Sequence, residues 1–308
     1  MPLISFSGVG NVISSASLTS TAAISSVSPP SGSQYGGVLV QINGNGFSGL
    51  ANNTQVTIGS SACTIVQITS GQVQCIAPAQ GSSPSVATIT IVSNGVSFPT
   101  SNSFTYSAAA TPTISSINPT SGSAGQTLTI TGSNFVSGQT SISIGGTPCA
   151  ITNITSTSIV CTVGSSPAGN QPVIASVVTS GRSASSTQFQ YTLQVSSASP
   201  SQGSFGGGQS VVVSGDGFNA SSITVTICNT PCQSVSVLSN TQLTCVTPAA
   251  TYQSSGKSCN LVVTVGGLTQ TVSYVYQSSL TATVSAVSPK RGGTGGGTTL
   301  TITGTNFP

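Results

Sequence analysis

Apolar residues alternate with hydroxyl and amide side chains in short runs along most of the chain. "VLVQI" (38–42), "VATITIV" (86–92), "LTITG" (128–132) and "VVVSG" (211–215) each place every second residue on one face. That period of two is the signature of half-buried strands, and no segment sustains the 3.6-residue period of a helix. Gly, Pro and Asn punctuate the runs, as in "QVTIGSSAC" (55–63) and "QVQCIAP" (72–78), and Asn94-Gly95 predicts a type I′ hairpin turn. About seven short strands in some 80 residues predict an all-β fold of antiparallel sandwiches.

The strands fall into a repeat. "ISSVSPPSGSQYGGVLVQINGNGF" begins at Ile24, "ISSINPTSGSAGQTLTITGSNF" at Ile114, "VSSASPSQGSFGGGQSVVVSGDGF" at Val195 and "VSAVSPKRGGTGGGTTLTITGTNF" at Val284, so the starts lie 90, 81 and 89 residues apart. In each, Pro29, Pro119, Pro200 or Pro289 breaks a first strand, and Gly32, Gly122, Gly203 or Gly292 supplies a turn. An alternating strand follows, then a Gly-bearing corner closing on Phe47, Phe135, Phe218 or Phe307, each expected to plug a core. Complete repeats end on aromatic alternation: Phe104 and Tyr106, Phe189 and Tyr191, Tyr274 and Tyr276. The predicted organisation is a segment of unclear fold at 1–23, complete units at 24–108, 113–193 and 194–278, and a truncated fourth at 283–308, on linkers such as "SAAATPT", "LQ" and "SSLTAT".

The composite pattern I-x-x-[IV]-x-P-x-x-G, then G-x-[NG]-F, then I-G-x-x-x-C and C-x-x-P resembles the immunoglobulin-like IPT/TIG domain from Ile24 to Phe307. Repeat 2 departs from it by lacking the Pro after its second Cys. The resemblance implies tandem immunoglobulin-like β-sandwiches, three complete and one truncated. It also implies a range of roles, from cell-surface receptors and extracellular proteins to accessory modules of enzymes and certain transcription factors, because a fold of this kind hosts many functions.

Eight cysteines repeat with the domains. Cys63 with Cys75 and Cys149 with Cys161 occupy equivalent places, and aligning "VTIGSSAC" with "VTICNTPC" adds Cys232 with Cys245. Taken alone, Cys228, Cys232, Cys245 and Cys259 also fit a four-thiolate zinc site. Two Cys cannot saturate zinc in repeats 1 and 2, so the repeats favour disulfides throughout, with Cys228 to Cys259 as a second bridge in repeat 3. Such usage implies an oxidising, extracellular compartment.

Charge narrows the function. The chain carries four cations (Arg182, Lys257, Lys290, Arg291) and a single acid, Asp216, for a net charge of +3, with no His and no Trp. That is too sparse to neutralise nucleic-acid phosphates. No run of 18 apolar residues is present to span a membrane, and residues 1–23 make a poor signal peptide. With one carboxylate and no His, neither acid/base catalysis nor an activated serine is expected, and the glycine runs have no following helix to make a phosphate cradle. Asp216 is expected to serve a turn, at the place where repeat 1 has Asn45. No catalytic, cofactor or metal residue is assigned, and the chain is expected not to be an enzyme.

Three sequons, Asn52, Asn153 and Asn219, fall one per complete repeat at predicted loops and are expected to carry glycans. Small polar side chains in place of charge favour self-association. The expected function is therefore a structural extracellular rod assembling into a surface fibre, and the alternative is a receptor or adhesin stalk binding a protein or carbohydrate. The fourth repeat cannot bury its apolar face alone. Strand donation by residues 1–23 of a neighbouring molecule is too short to complete it, so the sequence reads as a window on a longer array. Residues 284–308 in isolation are expected to be disordered or to contact a neighbouring copy.

Overall fold

The computed structural model describes residues 23–47, 49–81, 84–98 and 102–307, with two paired dipeptides, Ser5–Phe6 and Gly10–Asn11. The rest of the 1–23 segment lies outside the described residues. Three β-sandwiches follow one another. In the first, one sheet orders Ala23–Ser28, Leu39–Asn45, Gln72–Ile76 and Thr64–Ile68. The facing sheet orders Ser31–Gly32, Ser103–Tyr106, Ser85–Ser93, Thr54–Ile58 and Ser61–Ala62. The third sandwich repeats this plan from Gln194–Ser199 to Leu268–Tyr276. In the second, Thr147–Ile154 runs unbroken past Cys149 and pairs with both sheets, whereas the first and third interrupt the same crossing at Cys63 and Cys232.

Proline and glycine set the first corner. Proline has no N–H to continue a ladder, so at Pro29, Pro119 and Pro200 the chain leaves the first sheet. The next dipeptide, such as Ser31–Gly32, pairs parallel with the last strand of the opposite sheet. Period-two alternation then fills the cores: Val40, Ile42, Val73 and Cys75 face Val56, Ile58, Ile89 and Ile91, all essentially fully buried. The closing aromatic pairs complete each core, and Phe104 with Tyr106 meets edge to face at 5.0 Å. Asn94 and Gly95 both take positive φ, as the predicted hairpin turn requires.

The second corner explains its own glycine. A Cβ at Gly132 would stand 2.6 Å from the ring of Phe135, so only a residue without a side chain lets that ring fold back over the strand. The same holds at Gly44, Gly215 and Gly304. Phe47, Phe135 and Phe218 are buried as expected.

The fourth unit is not a complete sandwich: in place of the disorder that was one of its two expected states, Thr283–Ser288 and Thr301–Thr305 form an antiparallel ladder. Leu300, Ile302 and Phe307 are about half exposed there, whereas their counterparts Leu128, Ile130 and Phe135 are at most 3% exposed. Ladder hydrogen bonds and a clamp from Asn306 to the linker hold the pair in place without a core.

Candidate functional site

Side-chain hydrogen bonds tie each domain to the next, and the joints are of two kinds. Between domains 1 and 2, Thr111 of the linker donates its hydroxyl to Ser107 O at 2.7 Å and accepts from Gln34 N, which sits in the first turn of domain 1. From the other side Asn134 Nδ2 donates to Ala109 O and Thr111 O at 3.0 and 2.9 Å. Asn134 can do this because it occupies the left-handed corner position (φ 62°), which Asn tolerates better than most residues. The hairpin of domain 2 also reaches back: Ser33 N donates to Ser180 O, Arg182 N to Gly36 O, and Ser33 Oγ to Arg182 O.

The joint between domain 3 and the fourth unit copies the linker clamp. Thr281 donates to Gln277 O and accepts from Phe205 N, while Asn306 Nδ2 donates to Ser278 O and Thr281 O.

Between domains 2 and 3 the corner residue is Gly217 (φ 92°), which has no side chain to clamp with. A Cβ there would lie 2.9 Å from that of Ala168, so the backbones approach closely, and Ala168 N donates to Gly217 O at 3.0 Å. The clamp is instead Asp216. Its Oδ1 accepts from Gly217 N at 2.9 Å and Asn240 Nδ2 at 2.6 Å, and its Oδ2 accepts from the hydroxyl of Tyr191, in domain 2, at 2.7 Å. Asn240 Nδ2 also reaches Ser165 Oγ, and Ala124 N donates to the Tyr191 oxygen at 2.9 Å. Burial first, and then the hydrogen bond and charge of Asp216, push the Tyr191 hydroxyl up to about 12.

Asp216 thus serves the turn expected of it and also a second role that sequence reasoning missed. One signal was available. Tyr106 and Tyr276 donate to Pro78 O and Pro248 O within their own domains, from the Pro that ends C-x-x-P. Repeat 2 has Gly164 at that place and a first turn two residues shorter, so Tyr191 is free to reach the next domain.

The cysteines fall into pairs. Cys63–Cys75, Cys149–Cys161 and Cys228–Cys259 are disulfides, the first two spanning 12 residues and the third 31. The sulfurs of Cys232 and Cys245 face each other at 2.7 Å, at the places the paired cysteines occupy in domains 1 and 2. Among the described residues no three Cys, Asp, Glu or His side chains converge as a metal-ligand group. Cys228 stands where repeats 1 and 2 have Gly59 and Gly145, and it keeps their left-handed backbone (φ 53°).

All three sequon asparagines are exposed. Asn52 lies on a single 3-10 turn, Ala51–Asn53, and Asn219 in the loop after Phe218. Asn153 is not in a loop as expected. It belongs to the edge strand Thr147–Ile154, beside a bulge at Thr152, because ladder pairing to Val160 and Ile159 carries through a stretch whose Thr and Asn content reads as a turn. The equivalent bulge in domain 1 presents Val66, which is 60% exposed, and in domain 3 an irregularity of the same edge strand presents Leu238, 59% exposed.

Sequence comparison matches the IPT/TIG domain at residues 22–106, 112–191, 193–279 and 282–308. The chain is 39% identical over 293 residues to fibrocystin-L of Mus musculus and 37% over 289 to that of Homo sapiens, covering 94% and 92% of this chain. It is 30% identical over 272 residues to fibrocystin of Canis lupus familiaris, covering 80% of this chain. It spans only 6–7% of the length of these relatives. Among solved structures, the full extracellular region of plexin A4 aligns over 89% of this chain and 26% of its own at 18% identity, with a TM-score of 0.37, a likeness too loose to bear on function.

Proposed function

Because the chain belongs to the IPT/TIG domain family, we propose that its domains form part of the extracellular stalk of a large receptor-type protein at the cell surface. The observation that carries this reading is the clamped linker. Thr111 and Asn134 tie one linker to the domains on both sides, Thr281 and Asn306 tie another, and Asp216 ties the joint that has almost no linker at all. Interfaces of this kind ordinarily leave domains free to move, so repeated clamping suits a spacer that holds its direction. The identity to fibrocystin-L over 94% of this chain and 7% of that protein's length supports placing these domains within a much longer protein.

In this reading Cys232 and Cys245 close a fourth bridge in the oxidising compartment, in register with the pairs of domains 1 and 2. Asn52, Asn153 and Asn219 carry glycans, and the one on Asn153 screens a sheet edge against pairing with another chain. Lateral assembly into a fibre is a second reading, favoured by the sparse charge and by Val66 and Leu238 on the corresponding edges of domains 1 and 3.

Small-angle scattering combined with analytical ultracentrifugation of the glycosylated protein separates the two. A monomer with one extended, narrow distance distribution supports the stalk. Concentration-dependent filaments support the fibre, and a monomer with freely reorienting domains refutes the stalk.

A further inference from the structure

Arg182 is the one cation of domain 2, and the sole carboxylate of the chain, Asp216, is engaged at the other end of that domain. Its guanidinium therefore has no countercharge within the molecule. Its position is nevertheless fixed: its backbone N–H and C=O are both hydrogen-bonded to the first turn of domain 1, and its stem lies on Gly37, where a Cβ would meet it at 2.6–2.9 Å.

The side chain stands at the wall of an open cleft of about 450 Å³ that domain 1 otherwise lines, where the two domains meet. Ile76 and Pro78 contribute apolar surface, and Thr64 and Tyr35 bring hydroxyl-bearing side chains. A volume of this size falls within the ordinary range for small-ligand sites.

We propose that this cleft binds an acidic sugar, with its carboxylate on the Arg182 guanidinium and the apolar face of its ring on Ile76 and Pro78. Arginine matches a carboxylate with two parallel N–H donors. A pyranose acid has the complementary make-up of one apolar face, a hydroxyl edge and one anionic group. An extended acidic peptide has no ring face to lay on Ile76 and Pro78, and its pairing with the outer edge of Thr64–Ile68 is an outcome the test separates.

The test is a titration of the whole chain, enzymatically stripped of its own glycans, followed by amide NMR and calorimetry. The probes are methyl β-D-glucuronide, N-acetylneuraminic acid, methyl β-D-glucoside and a short Asp-containing peptide. We expect saturable binding of one or both acidic sugars, on the order of millimolar for a single ring, with shifts at Ala62, Thr64 and Ala79. Arg182→Gln should weaken it at least tenfold and Arg182→Lys less, both with melting little changed, since the hydrogen bonds of the joint use only the backbone of this residue and both variants keep a methylene stem on Gly37. The two acidic sugars separate uronate from sialate recognition. Absence of saturation, equal binding of the neutral glucoside, tighter binding of the peptide, or an Arg182→Gln variant that binds normally would each overturn the assignment.

Discussion

Replacing Asp216 by Asn tests whether the joint between domains 2 and 3 is held as described. The carboxylate accepts from Tyr191 on one oxygen and from Gly217 N and Asn240 Nδ2 on the other. An amide has one oxygen. If that oxygen stays with Gly217 and Asn240, its NH₂ faces a Tyr191 oxygen that already accepts from Ala124 N. If it turns to Tyr191, two donors are left facing the NH₂. The first arrangement loses one charge-assisted hydrogen bond and the second loses two, so at least about 1.5–3 kcal/mol is lost, which is roughly ten- to a hundredfold or more in the open-to-closed ratio of the joint. Asp216→Ala loses all of them. The loss falls on the joint because neither core contains Asp216. Hydrogen exchange reads this out residue by residue. Ala168, whose amide donates across the joint, and Ala124, whose amide donates to the Tyr191 hydroxyl and at 3.5 Å to Asp216 Oδ2, should exchange roughly ten- to a hundredfold faster in the Asn variant, while the amides of Val211 and Val213 in the core strand stay at wild-type rates. Unchanged exchange at Ala124 and Ala168, or an equal rise in the core, refutes the reasoning.

Four other outcomes are expected. Asn134→Ala should lower the coupling of domains 1 and 2 by about 1–2 kcal/mol, since it removes two hydrogen bonds and puts at φ 62° a residue that tolerates the left-handed region less well than Asn; Asn134→Gly, which loses the clamp without the strain, should cost less in the same two-domain denaturation experiment. Removing the bridge Cys149–Cys161 should destabilise domain 2 by about 2.8 kcal/mol for its 12-residue span, and removing Cys228–Cys259 should destabilise domain 3 by about 3.7 kcal/mol for 31 residues, both on the loop-entropy relation and checked by urea midpoints. Burial pushes Tyr106, Tyr191 and Tyr276 each up to about 12, so the folded state favours their protonated form. The stability they contribute is fully present below pH 10, the unfolded value, and is lost as pH rises toward 12, which alkaline denaturation followed by tyrosinate absorbance detects. Secreted protein should show no free thiol by alkylation mass spectrometry and one non-reduced peptide joining Cys232 to Cys245; a stable pair of alkylated cysteines there would refute the fourth bridge.

The sandwich was legible because its determinants are local or repeated. Period-two runs, the Pro-Gly first corner and the glycine beneath each Phe recur four times, and each has a steric reason that one repeat alone supplies. The buried tyrosines were legible as core for the same reason. The joints were not, because their partners lie in neighbouring units and are ordinary turn residues in isolation. Asn134 looks like any left-handed corner residue until the linker carbonyls are seen beneath its amide, and Arg182 looks like a solitary surface charge until Gly37 is seen under its stem. Asn153 was misplaced because Thr and Asn favour turns only when no ladder claims their backbone, and here Ser158–Thr162 does.

The unequal repeat spacing has a physical consequence at the joints. The 90- and 89-residue steps leave room for linkers whose carbonyls an Asn amide clamps, a neutral device that salt and ordinary pH do not touch. The 81-residue step into domain 3 removes that linker, so there are no free carbonyls to clamp and the corner Asn gives way to Gly217. Close backbone contact at Ala168 then needs a polar tie to fix its angle. A carboxylate partly withdrawn from water is costly unless its oxygens are supplied with donors, and Tyr191, Asn240 and Gly217 supply three, with Ala124 N a longer fourth at 3.5 Å. No cation takes part, so the tie is not a salt bridge for ions to screen. It is sensitive instead to the loss of any one donor, because the charge that remains is then under-solvated. Of the three joints among the described residues, two are tied by neutral amides, and the one whose tie depends on a carboxylate lies between Tyr191 and Asp216.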